Sequence, residues 1–532
     1  MGPGHRPADR GQLVPHRRVS QRAQCWLAIA AIAVTAALAY APSFAVPFQF
    51  DDEARLTHNG ALQQGALRDA LRWLGNSRVL PSLTLVLNYR LAEFEPLGYH
   101  IGNFAVHLLA AFGVFALALT LCRTPRLSAV WPPQRALRLA TAAALLFACH
   151  PLQTQAVTYI IQRSAAMAAG FYVWTVVCYL QGRIRQQSAV PRGAAAYFVI
   201  AAALAVAAVL SKENAVSLPA ALLLSEWVGF GRPSHWRAIL IGGVVALAML
   251  AVPVAWKTVA WQPAPNTPSN ATLPERMLDA LFAPRSAAPP GTRARPLEYL
   301  LTQATVLPRY LLLAVVPWGL NVDHDVPIAH TVSAPVLAGG ALLAALAALA
   351  LSQMRRRPLA AFGMLWFFVT LSVESSLIPI DDVMVEHRMY LPMAGLAVIG
   401  GWLFVAVADR VPRAARAAGI ALMVGLIALT FARNVIWLTP VSLWLDAAEK
   451  SPRKARPQVN VGVAYHHSER LDEAVAHYCR ALELNPDDEL ASENLEVALT
   501  QLGKLDTVDP KRDRQADGTL VLEVDDLTSY CP

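Results

Sequence analysis

"CWLAIAAIAVTAALAYAPSFAVPFQFDDEARLTHN", residues 25–59, runs from an uncharged apolar stretch straight into Asp51, Asp52 and Glu53. A hydrocarbon core about 30 Å thick takes roughly 20 apolar helical residues per crossing. Residues 25–44 therefore read as a membrane helix with three carboxylates at its mouth. Five arginines, Arg6, Arg10, Arg17, Arg18 and Arg22, precede it and set the N-terminus in the cytoplasm. "SFA" at 43–45 also fits a small-residue cleavage rule. The run is long enough to span, which favours an uncleaved anchor.

Similar runs recur as far as Trp437, near 100–122, 139–149, 165–182, 194–210, 214–229, 238–256, 334–353, 358–374, 389–408 and 417–437. They predict an all-α, polytopic membrane bundle of about eleven spans. Across 532 residues, 55% are hydrophobic and only 15% charged, which excludes an ordinary soluble enzyme. Arginines gather in alternate loops: Arg123, Arg126, Arg135 and Arg138; Arg183, Arg185 and Arg192; Arg232 and Arg237; Arg355, Arg356 and Arg357; Arg410, Arg413 and Arg416. These loops are expected inside and the others outside. The Pro-rich stretch 257–296 falls outside by parity. Segment 297–318, interrupted by Pro308 and Pro317, is expected as a re-entrant or interfacial pair of half-helices with both ends outside.

After Leu438 the chain repeats itself. Trp444 and Tyr478, Ala447 and Ala481, Pro452 and Pro486, and Asn460 and Asn494 share one interval, from 444 to 478 a step of 34. That is the tetratricopeptide period, and Gly462, Tyr465, Ala474, Tyr478, Ala481 and Pro486 fall at its packing positions. The expected organisation is a basic N-terminus over 1–24, a membrane domain over 25–437 with an outside loop at 45–98, one full and two partial repeats over 438–505, and an acidic tail over 506–532, short of large apolar residues and expected to be disordered. With roughly three repeats needed for a free-standing solenoid, this array is expected to pack on the membrane domain. Of six cysteines, Cys25, Cys122, Cys149 and Cys178 lie in or beside spans; Cys479 and Cys531 could pair outside or remain thiols.

The outside loops pool groups that can do chemistry. Asp51 or Asp52 could act as a general base on an incoming hydroxyl; the plainer reading is a helix cap. His100, Asn103 and His107 share a face of the second span, with His107 inside the bilayer. His150 and Arg163 flank the next outside turn. Lys212 and Glu213 sit in another, where a local ion pair is the simplest reading. "DDVMVEHRMYLP", 381–392, adds Glu386 and Arg388, whose guanidinium suits a phosphate. Asp323, His324 and Asp325 raise the alternative of a divalent cation on oxygen ligands, which spacing does not establish. Inside loops are simply basic. An outward-facing site with cations for a lipid phosphate and a carboxylate for an acceptor is the reading this segregation supports.

The motif order "FDDEARLTHN", "LPSLTLVLNYRLAEFEPLGYHIGNFAVHLL", "HPLQTQAVTYIIQRSA", "LSKENAVSLPAALLLSEW", "EHRMYLPMAGL" and "SLWLDAAEKSPRKARPQVNVGVAY" resembles the transmembrane and tetratricopeptide-repeat-containing O-mannosyltransferases and their bacterial relatives. That family has the C-type glycosyltransferase fold. "SRVLPSLT" departs from the Arg-Pro-Leu-type stretch of the family, so Arg78 is not carried over, and the repeat array is shorter than in the animal members.

The resemblance implies inverting transfer of a sugar from a polyprenyl-phosphate donor to protein Ser or Thr hydroxyls on the outer face. Mannose is implied by the resemblance only. Asp51 is then the base with Asp52 positioning, an order the residues leave open. Arg388, Lys212 and Arg163 would meet the donor phosphate, and His150, His100, Asn103 and Glu386 would line the donor site. No cofactor is required and no nucleic acid is expected; the partners are the lipid-linked sugar, a protein acceptor, membrane lipid and a protein bound by the repeats. A bacterial inner membrane, with N-terminus cytoplasmic and repeats outside, is the implied location. The alternatives are an oligosaccharyltransferase or ligase using a pyrophosphate-linked glycan with metal help, a non-catalytic membrane-anchored repeat scaffold and, with no inverted halves visible, a transporter.

Overall fold

In the computed structural model, residues 20–57, 78–188, 193–231, 295–376, 379–504 and 531 are described. They contain helices and turns and no strand. The expected span at 238–256, the Pro-rich stretch up to residue 294, and the acidic tail apart from Cys531 lie outside these residues.

The first helix, α1 (Gln21–Ala39), is capped by the Ser20 side chain, which accepts from the Ala23 N–H at 3.2 Å. Its buried residues, Ala28, Ile32, Ala36 and Ala39, form a single stripe, while Trp26, Leu27, Val34 and Leu38 are exposed. So apolar an outer face is stable only against lipid. Then come α2 (Val79–Ala92), α3 (Pro96–Arg123), α4 (Pro133–Cys149), the short α5 (Thr154–Thr158), α6 (Arg163–Gln186), α7 (Ala194–Val209) and α8 (Leu218–Phe230). Beyond the undescribed stretch follow α9 (Pro296–Val315), α10 (Ala334–Gln353), α11 (Pro358–Leu371), α12 (Pro392–Ala408) and α13 (Pro412–Ile436). The chain ends in α14 (Pro440–Lys450), α15 (Ala455–His467), α16 (Leu471–Leu484) and α17 (Glu489–Gln501).

Five segments are long and apolar enough to cross a membrane alone: α1, α3, α6 with its lead-in from Ile160, α10 and α13. A sixth is α4 with the segment Pro151–Thr158, bent by 55°. Pro151 supplies the break, since it has no N–H to continue the ladder. Helices α2, α7, α11 and α12 are apolar but shorter. The protein is thus an integral membrane helix bundle, with α3 central between α4 and α6, and α12 between α4 and α11. Gly363 of α11 and Gly395 of α12 let those helices close on each other: a Cβ on Gly395 would stand 2.6 Å from the Gly363 carbonyl oxygen.

Segment 297–318 departs from expectation. It forms one helix, α9, running through Pro308. Proline removes the hydrogen bond to the carbonyl four residues back, here Ala304. Gly339 of α10 lies on that carbonyl, where any Cβ would collide with it. Tyr299, Gln303 and Tyr310 of α9 all donate hydrogen bonds to the 374–385 region, and Ala314 accepts from His150. The whole helix therefore lies along one end of the bundle.

The two ends differ in chemistry. At one, Arg126 donates to the Trp227 and Met354 carbonyls, Arg135 and Arg138 pair with Asp409, and Arg183 pairs with buried Glu226. The other carries the 46–57 turn and α14–α17. These last helices pack in chain order, and α15 opens at Ala455 and α17 at Glu489, an offset of 34 residues. They rest on the bundle: the Phe50 ring meets Trp444, Asn321 donates to Ser451, and Lys450 donates to the Leu320 carbonyl. A disulfide joins Cys479 to Cys531, with Cα atoms 5.6 Å apart; the four cysteines of the bundle are free thiols.

Candidate active site

The turn after α1 is wound tightly. Phe50 has φ of 52°, unusual for a bulky residue, and its ring is held by Tyr159 and Trp444. This sends the two aspartates different ways. Asp52 turns inward and is 1% exposed; its carboxylate accepts from the Ile161 N–H at 2.8 Å and the Gln49 N–H at 3.3 Å. Burial pushes its carboxyl up to about 8, although both N–H groups favour the charged form. Asp51 turns outward. Its side chain is 39% exposed, 3.7 Å from the Arg55 guanidinium, and its backbone N–H donates to the Tyr159 hydroxyl. Asp51 is the carboxylate that an incoming molecule can reach.

A second group lies on the same end. Lys212 pairs with Glu374 at 2.6 Å, and Asn214 donates to the other oxygen of that carboxylate at 3.3 Å. Arg388 is 3% exposed; it donates to the Asp382 and Val383 carbonyls and the Tyr299 hydroxyl, while Tyr299 donates to the Glu374 carbonyl. Arg78 pairs with Glu213 at 3.6 Å, and its Nε is buried without an acceptor among the described residues.

The titration of the pair is uneven. Burial, with Arg78 and Arg388 nearby, pulls the Lys212 ammonium below its ordinary range despite Glu374. Glu374 is pushed up by burial, yet the charges of Lys212 and Arg388 leave it below the usual carboxylate range. Burial works against both charges; the neighbouring cations add to it at Lys212 and overcome it at Glu374. His387 beside them is held well below its ordinary range by burial and by the same three cations. Such a cluster attracts an anion.

One segment ties the groups together. Gln155 accepts from the His387 N–H at 2.8 Å, Tyr159 holds Asp51, and the Ile161 N–H meets Asp52. The break in α4 thus places the 150–163 turn between carboxylates and cations.

The other expected site residues have protein partners. Arg163 donates to Asn103, Thr84, Asn88 and the Tyr99 carbonyl, and so braces α2, α3 and α6. Asn103 also donates to the Val157 and Ile160 carbonyls. His100 holds the Val46 carbonyl at 2.8 Å, leaving Nδ1 buried with no partner among the described residues, and His150 lies against the Ala314 carbonyl and the Leu152 N–H. His107 bonds the Tyr390 hydroxyl and the Ala148 carbonyl. Glu386 accepts from the Asn321 N–H at 2.5 Å and contacts His324 at 3.1 Å. Asp323 and Asp325, the candidate cation ligands, pair with Lys454 and Arg456, and with Arg453. Among the described residues no three His, Cys, Asp or Glu side chains gather as a metal site. Glu374, Arg78, Tyr299 and Gln155 were not among the expected site residues. The sequence signal for Glu374 is a lone acid at the very end of the run 358–374.

No protein-family profile matches the chain. Over 77% of its length it is similar to protein O-mannosyl-transferases: mouse TMTC3, 22% identical over 432 residues and 44% of that protein, and Drosophila melanogaster Tmtc3, 24% identical over 457 residues and 48% of that protein. The resemblance expected from the motif order is thus found in sequence comparison. The chain spans about half the length of these relatives. A solved structure of ArnT from Cupriavidus metallidurans bound to undecaprenyl phosphate aligns over 94% of this chain and 84% of that one, at 14% identity and a TM-score of 0.46.

Proposed function

We propose that this protein is a membrane glycosyltransferase that moves a sugar from a polyprenyl phosphate to a Ser or Thr hydroxyl of protein on the outer face of the membrane. Mannose as the sugar and protein as the acceptor follow the names of the relatives. The observation that carries this reading is the placement, at one end of the bundle, of an open carboxylate at Asp51 and of a cluster of three cations, Arg78, Lys212 and Arg388, with the carboxylates Glu213 and Glu374. Asp51 takes the acceptor proton as the hydroxyl oxygen attacks the anomeric carbon. The bond to the lipid phosphate breaks, and the cluster stabilises the departing anion. A single displacement inverts the anomeric centre. Asp52 fixes the turn that aims Asp51.

On this reading the span count is about eleven, the arginine-rich end is cytoplasmic, and α14–α17 are tetratricopeptide repeats on the outer side. The Cys479–Cys531 disulfide suits that oxidising side. The membrane is then the bacterial inner membrane.

Transfer of labelled mannose from polyprenyl phosphate mannose to an acceptor peptide tests the site with Asp51→Asn, Asp52→Asn and Arg388→Ala. Undiminished transfer by all three variants overturns the assignment.

A further inference from the structure

A groove of about 980 Å³ lies at the arginine-rich end, between α1, α4, α12 and α13. This is the upper size of an ordinary small-molecule site. Its walls are apolar, with Ala31, Leu145, Phe404, Gly419 and Met423 among them. Arg138 and Arg416 belong to the same lining, and Arg138 is shared with an adjoining hollow of about 490 Å³ lined by Gln21, Gln134 and Arg135. Hydrocarbon walls and a guanidinium mouth meet in one site.

The charges there do not balance. Arg135 and Arg138 share Asp409, at 2.9 and 3.0 Å. Arg416 uses its Nε on the Pro412 carbonyl, at 3.2 Å, and no carboxylate pairs with it among the described residues. Three guanidinium groups against one carboxylate leave a surplus of two positive charges. Arginine grips phosphate oxygens with paired N–H bonds and tolerates partial desolvation better than lysine.

We propose that this groove is a binding site for one anionic phospholipid of the adjacent leaflet, its acyl chains along α1 and α13 and its phosphate between Arg138 and Arg416. Charge complementarity selects this occupant: a zwitterionic headgroup would bring its own cation to a mouth already in cationic excess. The carboxylates and cations of the candidate active site belong to the opposite end, so the bound lipid is not the sugar donor. Its effect is to fasten α1 and α13 to α4 and α12.

Full-length protein is purified in neutral detergent from nanodiscs of equimolar phosphatidylglycerol and phosphatidylcholine, and the retained lipid is read by native mass spectrometry. Wild type is expected to retain about one phosphatidylglycerol, with preference over phosphatidylcholine of about fivefold for each arginine engaged. Arg138→Gln with Arg416→Gln removes the preference, whereas Arg185→Gln, at a different surface, leaves it intact. Ala31→Trp fills the groove from its lipid-facing wall and expels the lipid without altering charge. Equal retention of both lipids by wild type overturns the proposal. So does a preference that survives both the double variant and Ala31→Trp, or a stable dimer that Ala31→Trp dissociates, which would give the groove to a second copy.

Discussion

Arg456 of α15 and Arg388 of the candidate site hold the same residue: Nη2 of Arg456 donates to the Asp382 carboxylate at 2.7 Å, and Nη2 of Arg388 donates to the Asp382 backbone carbonyl at 2.6 Å. Arg456 also grips Asp323 through Nε and Nη2, at 2.7 and 2.6 Å. Burial opposes the charge on Asp323, but Arg456 and Lys454 hold its carboxyl below the usual range. The C-terminal helices therefore fasten the loop that carries Glu386 and Arg388 to the loop that carries Asp323.

From this linkage Arg456→Ala is expected to lower kcat/KM for the lipid donor by about tenfold, because small displacements of a charge-stabilising group are costly. Arg456 is a positioning residue that acts through Arg388, so the loss should appear in kcat and in KM for the donor, with KM for the acceptor peptide little changed. Steady-state transfer with each substrate varied separately measures this. A loss confined to the acceptor KM would assign Arg456 to acceptor binding instead.

Lys212 and Glu374 give a stability prediction. Removing one partner of a buried pair strands the other, typically at about 3–5 kcal/mol. Glu374→Gln should be the worst case, since it leaves Lys212 facing Arg388 and Arg78 without a counter-charge. Lys212→Met alone should cost less, because Arg388 still serves Glu374. Thermal unfolding of the purified protein in detergent orders the two variants, and the reverse order would sink this account of the cluster.

How far these relationships can be read from sequence depends on their range along the chain. The carboxylates after α1, the arginine-rich loops and the 34-residue interval are local patterns, and each is visible in the structure as a turn, an end or an offset. Glu374 lies far from Lys212 in sequence, and nothing local favours it over Glu213, the neighbour expected to close a tight turn; in the fold Glu213 pairs with Arg78 instead. Arg163 is the converse case. Its position beside a membrane surface invites a phosphate, but whether its donors are spent on Asn103, Thr84, Asn88 and Tyr99 depends on how three helices meet. The continuity of α9 through Pro308 was hidden for the same reason, since the glycine that closes on the freed carbonyl belongs to another helix.

Cysteine accessibility gives a topological prediction. Under denaturing, non-reducing conditions four thiols should alkylate, Cys25, Cys122, Cys149 and Cys178, and reduction should add Cys479 and Cys531. Mass spectrometry of the labelled chain counts them. Six labelled cysteines before reduction, in protein isolated with its thiols trapped at lysis, would place the C-terminal helices in a reducing compartment.

The two aspartates should separate by pH. Asp51→Asn is expected to lower kcat by about 10²–10⁴-fold, the usual contribution of a positioned base. Asp52 behaves differently because its carboxyl is raised to about 8 by burial. The folded state then binds more protons than the unfolded chain between about pH 4 and 8, so this group's contribution to stability is fully present below the unfolded pKa and is lost as pH rises through the folded one. Unfolding midpoints of wild type should therefore fall across that window more steeply than those of Asp52→Asn, whose side chain cannot ionise. Equal slopes would mean that Asp52 is ionised throughout, and the carboxylate held by Ile161 and Gln49 would then be as credible a base as Asp51.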